Sequence, residues 1–479
     1  MANMATLSVL TRNLGFQVFG RGAGILLSLV SIGILTRHLN PEGFGQLTTA
    51  FAFLSIFSII IDFGLTLTLT QMISEPEADE KRLVGNILSL RLILGFIFFT
   101  VAPFVSLLFP YSPLIRYAIV IGAVSSFFTS TCQVLIGIFQ KHLIMHRAGL
   151  AEFTGRVALL AAVALFAWQE LGLLWMIFAF AIANMIQLFA TLLLARSSTP
   201  IVLKIEPKIW LAVASRSWPI GLSIIFNLVY LKGDIIFLSI FRSQSEVGFY
   251  GAAYKVVDVI TALPVMFMGI ALPTLVSYWH KRAISDFRYL VQQTFDLFSL
   301  IALPLAFGVQ VVGVQLFALI AGDNYALSGS VARLLVPAAS VVFFGTLYAH
   351  LIVAVQKQRA MIWAYASVAA LATGGYLTVI PVWGMFGAAA VTIAAESLIG
   401  LIAFIVIVKM SGAWPRLAVF SKAVLASIIM VLAIMPIREL HVLLVTGIGA
   451  LVYFIVLLAI DGTNRKALFS LFKNKFKPL

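Results

Sequence analysis

The sequence predicts an all-α polytopic membrane protein with about fourteen transmembrane helices. Of its 479 residues, 62% are hydrophobic and only 10% are charged, and the mean hydropathy is +1.07. Because soluble domains carry about 25% charged residues, these values exclude a soluble chain. Apolar runs recur from Leu14 to Ile460, which excludes a single anchor, and the first run is too long for a signal peptide.

Each predicted span is a window of about 18 or more mostly apolar residues, bounded by clusters of charge. In chain order, the spans are approximately 13–36, 44–70, 83–108, 114–140, 148–169, 172–195, 217–241, 247–277, 289–319, 328–356, 360–381, 384–409, 416–436 and 441–460. Pro304 interrupts the ninth span and leaves open whether it is one helix or two. The connecting loops are short, so no soluble catalytic domain fits on either side.

Basic residues distinguish the two sides of the membrane. With the N-terminus inside, alternate loops and the C-terminal tail collect 21 lysines and arginines, whereas the opposite loops collect four. Since cytoplasmic loops are enriched in Lys and Arg, we predict that both termini lie in the cytoplasm. Most of the net charge of +14 is then an orientation signal that requires no nucleic-acid partner. The basic tail, with Phe469, Phe472 and Phe476, is predicted to anchor on anionic lipid.

An internal repeat suggests how the spans are grouped. LTRHLNPEGFG at Leu35–Gly45 and LSIFRSQSEVG at Leu238–Gly248 each end one span, cross a polar turn and reach a glycine that opens the next. They lie 203 residues apart, or about six spans, and an even offset keeps both halves in the same orientation. We therefore expect an N-terminal lobe at 1–205, a C-terminal lobe at 206–412, and an extra helix pair with a basic cytoplasmic tail at 413–479.

Charges inside the spans mark the candidate site, and the hairpin Asn227–Asp258 contains four of them. Lys232 and Asp234 precede its polar loop, and Lys255 and Asp258 follow it. A charge near the bilayer centre costs about 2.5 to 3.5 kcal/mol on the insertion scale, so these residues need partners or a function. We interpret the two lysines as candidate ligands of an anionic group that crosses the membrane.

A second charged layer is predicted nearer the cytoplasmic surface, where Arg21, Asp62 and Arg91 fall at similar depth. These charges have a structural alternative, because a buried ion pair can simply hold two helices in register. That alternative applies to Arg21 with Asp62. Within a single helix, the i, i+4 pair of Glu152 and Arg156 and the i, i+3 pair of Lys255 and Asp258 have the same alternative, in which the two charges only neutralise each other.

Polar stripes run along several predicted spans at helical spacing, and a lipid-facing helix would not keep them. Their members outside the charged set include Asn13, Gln17, Asn227 and Tyr254. Such faces either line a water-filled cavity or let helices pack closely through Gly, Ser and Thr.

Glu396 lies midway along the twelfth span with no basic neighbour in sequence. A carboxyl group in that setting favours its protonated form, which makes Glu396 a candidate for coupling to H⁺ or Na⁺. The alternative is a protonated residue that only packs. No cofactor is expected, because the sequence lacks a P-loop and the HExxH, CxxC and GxSxG patterns, and we therefore predict a non-enzyme.

Three stretches carry a resemblance to a known family. They are Arg37, Pro41, Glu42, Phe44 and Gly45 after the first span; Asp62-Phe63-Gly64-Leu65 in the second; and Gly233-Asp234 with Glu246, Gly248, Tyr250, Ala253, Tyr254, Pro264 and Pro273. Over roughly residues 10–410, the chain resembles the polysaccharide biosynthesis family of Wzx-type oligosaccharide flippases, in the multidrug/oligosaccharidyl-lipid/polysaccharide exporter superfamily.

The resemblance implies two six-helix lobes arranged as a V around a central cavity, plus the C-terminal helix pair, which receives no transport role. The cavity would take the pyrophosphate and sugars of a polyprenyl-linked oligosaccharide while the lipid tail stays in the bilayer. Basic positions on the cavity faces would be Arg21, Arg91, Lys232 and Lys255. Expected partners are the lipid-linked glycan, the bilayer and other glycan-assembly proteins.

Three other functions remain open at this point. A drug/cation antiporter of the same superfamily would favour an acidic, aromatic cavity. A membrane polysaccharide polymerase or ligase would carry a large outer loop with catalytic residues, against which the short outer loops argue. A non-transporting scaffold would tolerate replacement of the helix-lining charges.

Overall fold

The computed structural model describes residues 2–75, 78–142 and 144–460, except for the side chains of residues 2–23, 25, 219–220, 223–224, 227–231 and 359. Within this part of the chain every long element is an α-helix and no strand is present, as predicted. The helices are α1 Ala2–Asp62, α2 Leu65–Ile73, α3 Glu80–Val105, α4 Pro113–Lys141, α5 Met145–Trp168, α6 Leu173–Arg196, α7 Pro207–Phe241, α8 Gln244–His280, α9 Ile284–Ala321, α10 Ala326–Ala354, α11 Gln358–Ser411, α12 Ala418–Ile434 and α13 Val442–Ala459.

Two of these helices are interrupted by a single residue with non-helical backbone angles. In α1 this residue is Asn40, with φ 58° and ψ 173°, and Pro41 follows it. In α11 it is Gly384, with φ 55° and ψ −136°. Asn and Gly are the residues that adopt positive φ most readily, and a proline lacks the amide hydrogen that would continue the helix. Asn40 falls between two predicted spans, and Gly384 is the first residue of the predicted span 384–409.

Eleven helical segments of the described residues are long and apolar enough to cross a membrane, so the protein is a multi-pass membrane protein. Two of the segments, Leu26–Ile73 and Ala360–Ser411, contain 48 and 52 residues. At a rise of about 1.5 Å per residue each far exceeds the roughly 30 Å of the hydrocarbon core. The predicted number of fourteen is not confirmed. The ninth predicted span is one helix, α9, with Pro304 inside it.

The chain forms two compact units. Unit 1 comprises Met1–Gly251 and Thr373–Met385, and unit 2 comprises Ala252–Ala372 and Phe386–Leu479. The lobes expected at 1–205, 206–412 and 413–479 are defined by membrane spans rather than by compactness, and they stay a prediction.

Unit 1 is organised around α4, which packs against α1, α3 and α6. A core of fully buried aliphatic and aromatic side chains joins α2, α3 and α4, including Leu69, Ile87, Leu135 and Phe139. In unit 2, α9 packs against α10 and α12. There Met430 and Tyr453 of the last two helices form a smaller core, and the Tyr453 hydroxyl donates to the Leu300 carbonyl at 3.0 Å.

Candidate functional site

The central feature of unit 1 is an ion pair between α1 and α3. Arg91 donates from Nη1 to Oδ1 of Asp62 at 2.8 Å. Its Nη2 donates to Oε1 of Gln133 at 2.9 Å, and its Nε donates to the Ser130 carbonyl at 3.1 Å. The Arg91 side chain is fully buried, whereas that of Asp62 keeps 20% of its surface exposed. Three hydrogen bonds thus fix the Arg91 side chain, and Arg91 in turn holds the partly exposed Asp62 carboxylate in place.

The local sequence explains why Asp62 sits at this position. Phe63 and Gly64 have φ values of 34° and 80°, which end α1 directly after Asp62. Thr66, in the first turn of α2, donates its hydroxyl to the same carboxylate oxygen at 2.7 Å. Gly221 of α7 lies directly against the ring of Phe63, where any larger residue would overlap it. The break between α1 and α2 therefore brings the Asp62 carboxylate, the Thr66 hydroxyl and helix α7 close together.

Gly45 and Gly248, which occupy the same position in the two repeated segments, lie in close backbone contact. A Cβ atom on Gly45 would overlap the Gln244 carbonyl, and a Cβ atom on Gly248 would overlap the Pro41 carbonyl. Adding 203 to a residue number turns Gly45 into Gly248 and Pro41 into Gln244. The contact of Gly45 with Gln244 is therefore the counterpart of the contact of Gly248 with Pro41. Reciprocal contacts of this kind are the mark of a local twofold relation. The two repeated segments thus cross backbone to backbone at their glycines.

Asp234 lies in the hairpin that joins α7 and α8, where it is paired with a tyrosine. The Tyr250 hydroxyl donates to Oδ2 of Asp234 at 2.7 Å, and the Ile235 amide donates to Oδ1 at 2.7 Å. Both side chains are buried, with relative exposures of 0% for each residue. A carboxylate with these two donors is stabilised in place, and its position holds α7 against α8.

The loop of the same hairpin is tied to the interruption in α11. Arg242 donates from Nε to Oε1 of Glu246 at 2.9 Å and from Nη1 to the Pro381 carbonyl at 3.4 Å. Oε2 of Glu246 accepts the Met385 amide at 3.2 Å. The backbone groups released where α11 breaks at Gly384 thereby find partners.

The remaining predicted residues are spread between the two units. In unit 1, Lys232 is half-buried. In unit 2, Lys255 and Asp258 are exposed and Tyr254 is buried. The side chains of Arg21, Asn13, Gln17 and Asn227 lie outside the described residues. The expected layer of Arg21, Asp62 and Arg91 is therefore seen only as the contact between its last two members.

Glu396, the predicted coupling residue, is 8% exposed on α11 in unit 2. The Tyr365 hydroxyl lies within electrostatic range of its carboxyl group. The predicted pair of Glu152 and Arg156 is confirmed, with Oε1 and Nη2 3.3 Å apart and both side chains about two-fifths exposed.

Sequence reasoning missed two parts of this region. Gln133 completes the coordination of Arg91, and a glutamine inside an apolar span was the signal for it. The segment before α7 is bound to the start of α3, where Arg82 forms a two-pronged ion pair with Glu206 and Asn86 donates to Glu206 at 3.1 Å. These bonds, from Arg82 first and then Asn86, lower the pKa of Glu206 to about 2.

Comparisons with known proteins agree with this architecture. The model of the family described as "Polysaccharide biosynthesis protein" matches residues 10–279, more than half of the chain. The chain belongs to this family. The resemblance seen in the sequence is confirmed, and the matched region contains both repeated segments and the Asp62–Arg91 pair.

A curated relative and two solved structures extend the comparison over most of the chain. The succinoglycan biosynthesis transport protein ExoT of Rhizobium meliloti (strain 1021) is 22% identical over 470 residues, covering 94% of this chain and 92% of ExoT. The lipid II flippase MurJ, in an inward closed conformation, superimposes with a TM-score of 0.78 at 12% identity, covering 93% of this chain and 98% of MurJ. An inward-facing MATE family multidrug transporter of the MOP superfamily gives a TM-score of 0.66 at 14% identity, covering 81% of this chain and 95% of that transporter. The fold is thus that of MurJ and the MATE transporters.

Proposed function

We propose that this protein is a flippase that moves a polyprenyl-pyrophosphate-linked oligosaccharide across the plasma membrane by alternating access, without covalent chemistry. The observation that carries the proposal is the family match together with the similarity to ExoT, named as a transport protein in succinoglycan biosynthesis, over 94% of the chain. The fold shared with the lipid II flippase MurJ supports the same class of substrate. Both termini would lie in the cytoplasm.

The physical problem for such a substrate is its polar head. Sugars and a pyrophosphate cannot enter hydrocarbon without losing the hydrogen bonds they make to water, so they need a polar path through the protein. Arginine and lysine would attract the pyrophosphate oxygens, and we assign this role to Arg21, Lys232 and Lys255. Lys255 is exposed on α8, which suits direct contact with a substrate.

Arg91 receives a different role in this proposal. Three of its nitrogen atoms donate to Asp62, Gln133 and Ser130, and its side chain is fully buried. We therefore assign to it the positioning of the Asp62 carboxylate rather than direct binding of substrate. Asp62, whose side chain is 20% exposed, would accept a hydrogen bond from a sugar hydroxyl.

Coupling to an ion gradient is assigned to Glu396. Its carboxyl group is buried, and access of water from alternate sides would let it take up a proton on one side and release it on the other. Replacement by glutamine mimics the protonated state. In proteoliposomes, we expect Glu396→Gln to transport at a rate that no longer depends on a pH gradient. An unchanged dependence on the gradient would remove Glu396 from coupling, and a dependence on Na⁺ instead would identify the other ion.

The transport proposal is tested with purified protein in vesicles. A fluorescent polyprenyl-pyrophosphate saccharide is placed in both leaflets, and a membrane-impermeant quencher measures how much reaches the outer one. We expect Arg21→Gln and Lys255→Gln to abolish flipping at unchanged protein level. The matched control is Lys281→Gln, which removes an exposed charge from a loop predicted in the cytoplasm. Wild-type rates in both cavity variants would exclude these residues from the mechanism.

The same vesicles test the alternative of a drug/cation antiporter. That class shares the fold, since a MATE transporter superimposes on most of the chain. Efflux of a cationic dye without flipping of the saccharide would replace the present proposal. Flipping without dye efflux supports it.

A further inference from the structure

We propose that unit 2 contains a binding site for the phosphate headgroup of an anionic phospholipid, formed by the start of α9 and the loop between α11 and α12. This site is separate from the charged groups assigned to transport, and its occupant would be a membrane lipid rather than the transported glycan. A pocket of about 400 Å³ lies there, and Arg288 and Arg416 are among its lining residues. Pockets of a few hundred cubic ångströms are typical of sites for small ligands.

The two arginines supply positive charge that the protein does not neutralise. Arg288 donates from Nε to the Ser411 carbonyl at 2.7 Å, which fixes the guanidinium and leaves its two terminal nitrogens for a ligand. Arg416 makes its hydrogen bonds through backbone atoms only. Among the residues the structure describes, no carboxylate pairs with either side chain, and none of the lining residues is acidic. Arginine is the side chain best suited to phosphate, because its fork of donors matches two phosphate oxygens.

The loop that presents Arg416 is held in a defined conformation. Oε1 of Gln292 accepts the Arg416 amide at 2.7 Å, and Nε2 of Gln292 donates to the Arg416 carbonyl at 3.0 Å. Nε2 also donates to Asp296 at 2.8 Å, which orients the amide group. Gly412, with φ 62°, lies directly under the Arg288 guanidinium, where a methyl group would displace it. A site whose walls are fixed before the ligand arrives binds with a smaller loss of entropy.

The surroundings of the pocket match a membrane surface. The pocket lies where α11 ends and where α9 and α12 begin, and all three helices are long and apolar enough to span a bilayer. Trp414 and Tyr289 flank it and are 71% and 66% exposed, and Leu417 is 57% exposed. Trp and Tyr concentrate at the level of the headgroups, and an exposed leucine beside them suits the start of an acyl chain. The ring of Trp414 is held edge-on against Phe404 at 5.7 Å.

The charge distribution selects the inner leaflet. The loop before α9 also carries Lys281 and Arg282, and the last turn of α11 carries Lys409; all three are predicted on the cytoplasmic side. Anionic lipids of that leaflet attract basic segments next to membrane helices. A headgroup bound between α9 and the loop would join α11 and α12 to α9 at the membrane surface.

The experiment measures lipid retained by the full-length protein. Protein in phosphatidylcholine vesicles with or without phosphatidylglycerol is extracted, and the bound lipid is counted by native mass spectrometry. We expect Arg288→Gln/Arg416→Gln to bind phosphatidylglycerol roughly 100-fold more weakly, since each arginine would lose a charge-assisted hydrogen bond to the phosphate that contributes a factor of about ten. The matched control is Lys281→Gln/Arg282→Gln, which removes the same charge outside the pocket and should reduce binding by much less. The charge-conserving Arg288→Lys/Arg416→Lys should bind more tightly than the glutamine pair and more weakly than the wild type, because lysine keeps the charge and loses the fork of donors.

Three results would overturn the proposal. In the first, the Arg288→Gln/Arg416→Gln protein retains as much phosphatidylglycerol as the wild type. In the second, the control pair loses as much as the pocket pair, which would mean general attraction to the membrane. In the third, inorganic phosphate raises the Tm of the detergent-purified protein as much as phosphatidylglycerol does at equal concentration, which would mean a soluble ligand.

Discussion

Replacing Gly248 with alanine tests the contact between the repeated segments directly. An added Cβ atom would meet the Pro41 carbonyl, whose carbon atom would be 2.8 Å away, and the Gly45 nitrogen at 3.1 Å. Both are backbone atoms of α1, so no side chain can rotate away to make room. The helices themselves must separate.

The size of the effect follows from these distances. Ordinary contact begins near 3.4 Å. The Pro41 carbonyl carbon at 2.8 Å would have to recede by about 0.6 Å, and the Pro41 carbonyl oxygen, which is the nearest atom to the added Cβ, would have to recede considerably further. Overpacking of this kind costs about 1 to 3 kcal/mol, and alanine gains about 1 kcal/mol over glycine in helix propensity. Because the carbonyl oxygen approaches so closely, the upper end of the overpacking range applies, and we expect a net loss of about 2 kcal/mol. Gly45→Ala should cost a similar amount, and the double variant less than the sum, because both changes part the same two helices.

The assay is the thermal unfolding midpoint of the full-length protein in detergent, followed by size-exclusion chromatography after heating. The control is Gly269→Ala, on the same helix α8, whose added Cβ atom would meet nothing within 4 Å. We expect the control to keep or raise Tm and Gly248→Ala to lower it. Equal midpoints for the two variants would refute the close crossing, and an additive double variant would refute the shared contact.

Three further predictions follow from ion pairs. Asp62→Asn leaves the charge of Arg91 buried without its carboxylate and should lower the free energy of unfolding by about 3 to 5 kcal/mol, seen as a lower Tm. Glu152→Gln removes a half-exposed pair and should cost less than about 1 kcal/mol in the same assay; equal losses would contradict the difference in burial. The pKa of Glu206 falls from 4.5 to about 2 on folding, so its contact with Arg82 stabilises the segment before α7 above pH 4.5 and is lost as the pH falls through about 2. Cleavage of that segment by an acid-active protease should rise over this window in the wild type and be high throughout in Glu206→Gln, and identical profiles would contradict the assignment.

Much of the candidate site was predictable, although its pairing was not. Charged residues inside apolar spans are conspicuous in a sequence, and Asp62, Arg91 and Asp234 were selected on that ground. Their partners come from other helices: Arg91 reaches Asp62 on α1, and Asp234 reaches Tyr250 on α8. Distances across helices depend on rotation and depth in the bundle, which helical spacing within one span does not specify. Sequence reasoning therefore proposed Arg21 as a partner of Asp62 and did not identify Arg91 as one.

The sequence by itself determined that this protein is an α-helical, multi-pass membrane protein, and it placed two similar segments 203 residues apart, because hydropathy and glycine position are properties of the chain alone. It also marked the breaks near Asn40 and Gly384, where residue type limits the backbone. Tertiary structure alone decided that Gly45 and Gly248 lie against each other's segments, and that Arg288 and Arg416 line one pocket. The reason is that such contacts join residues far apart in sequence, and only the packing of whole helices sets which faces meet.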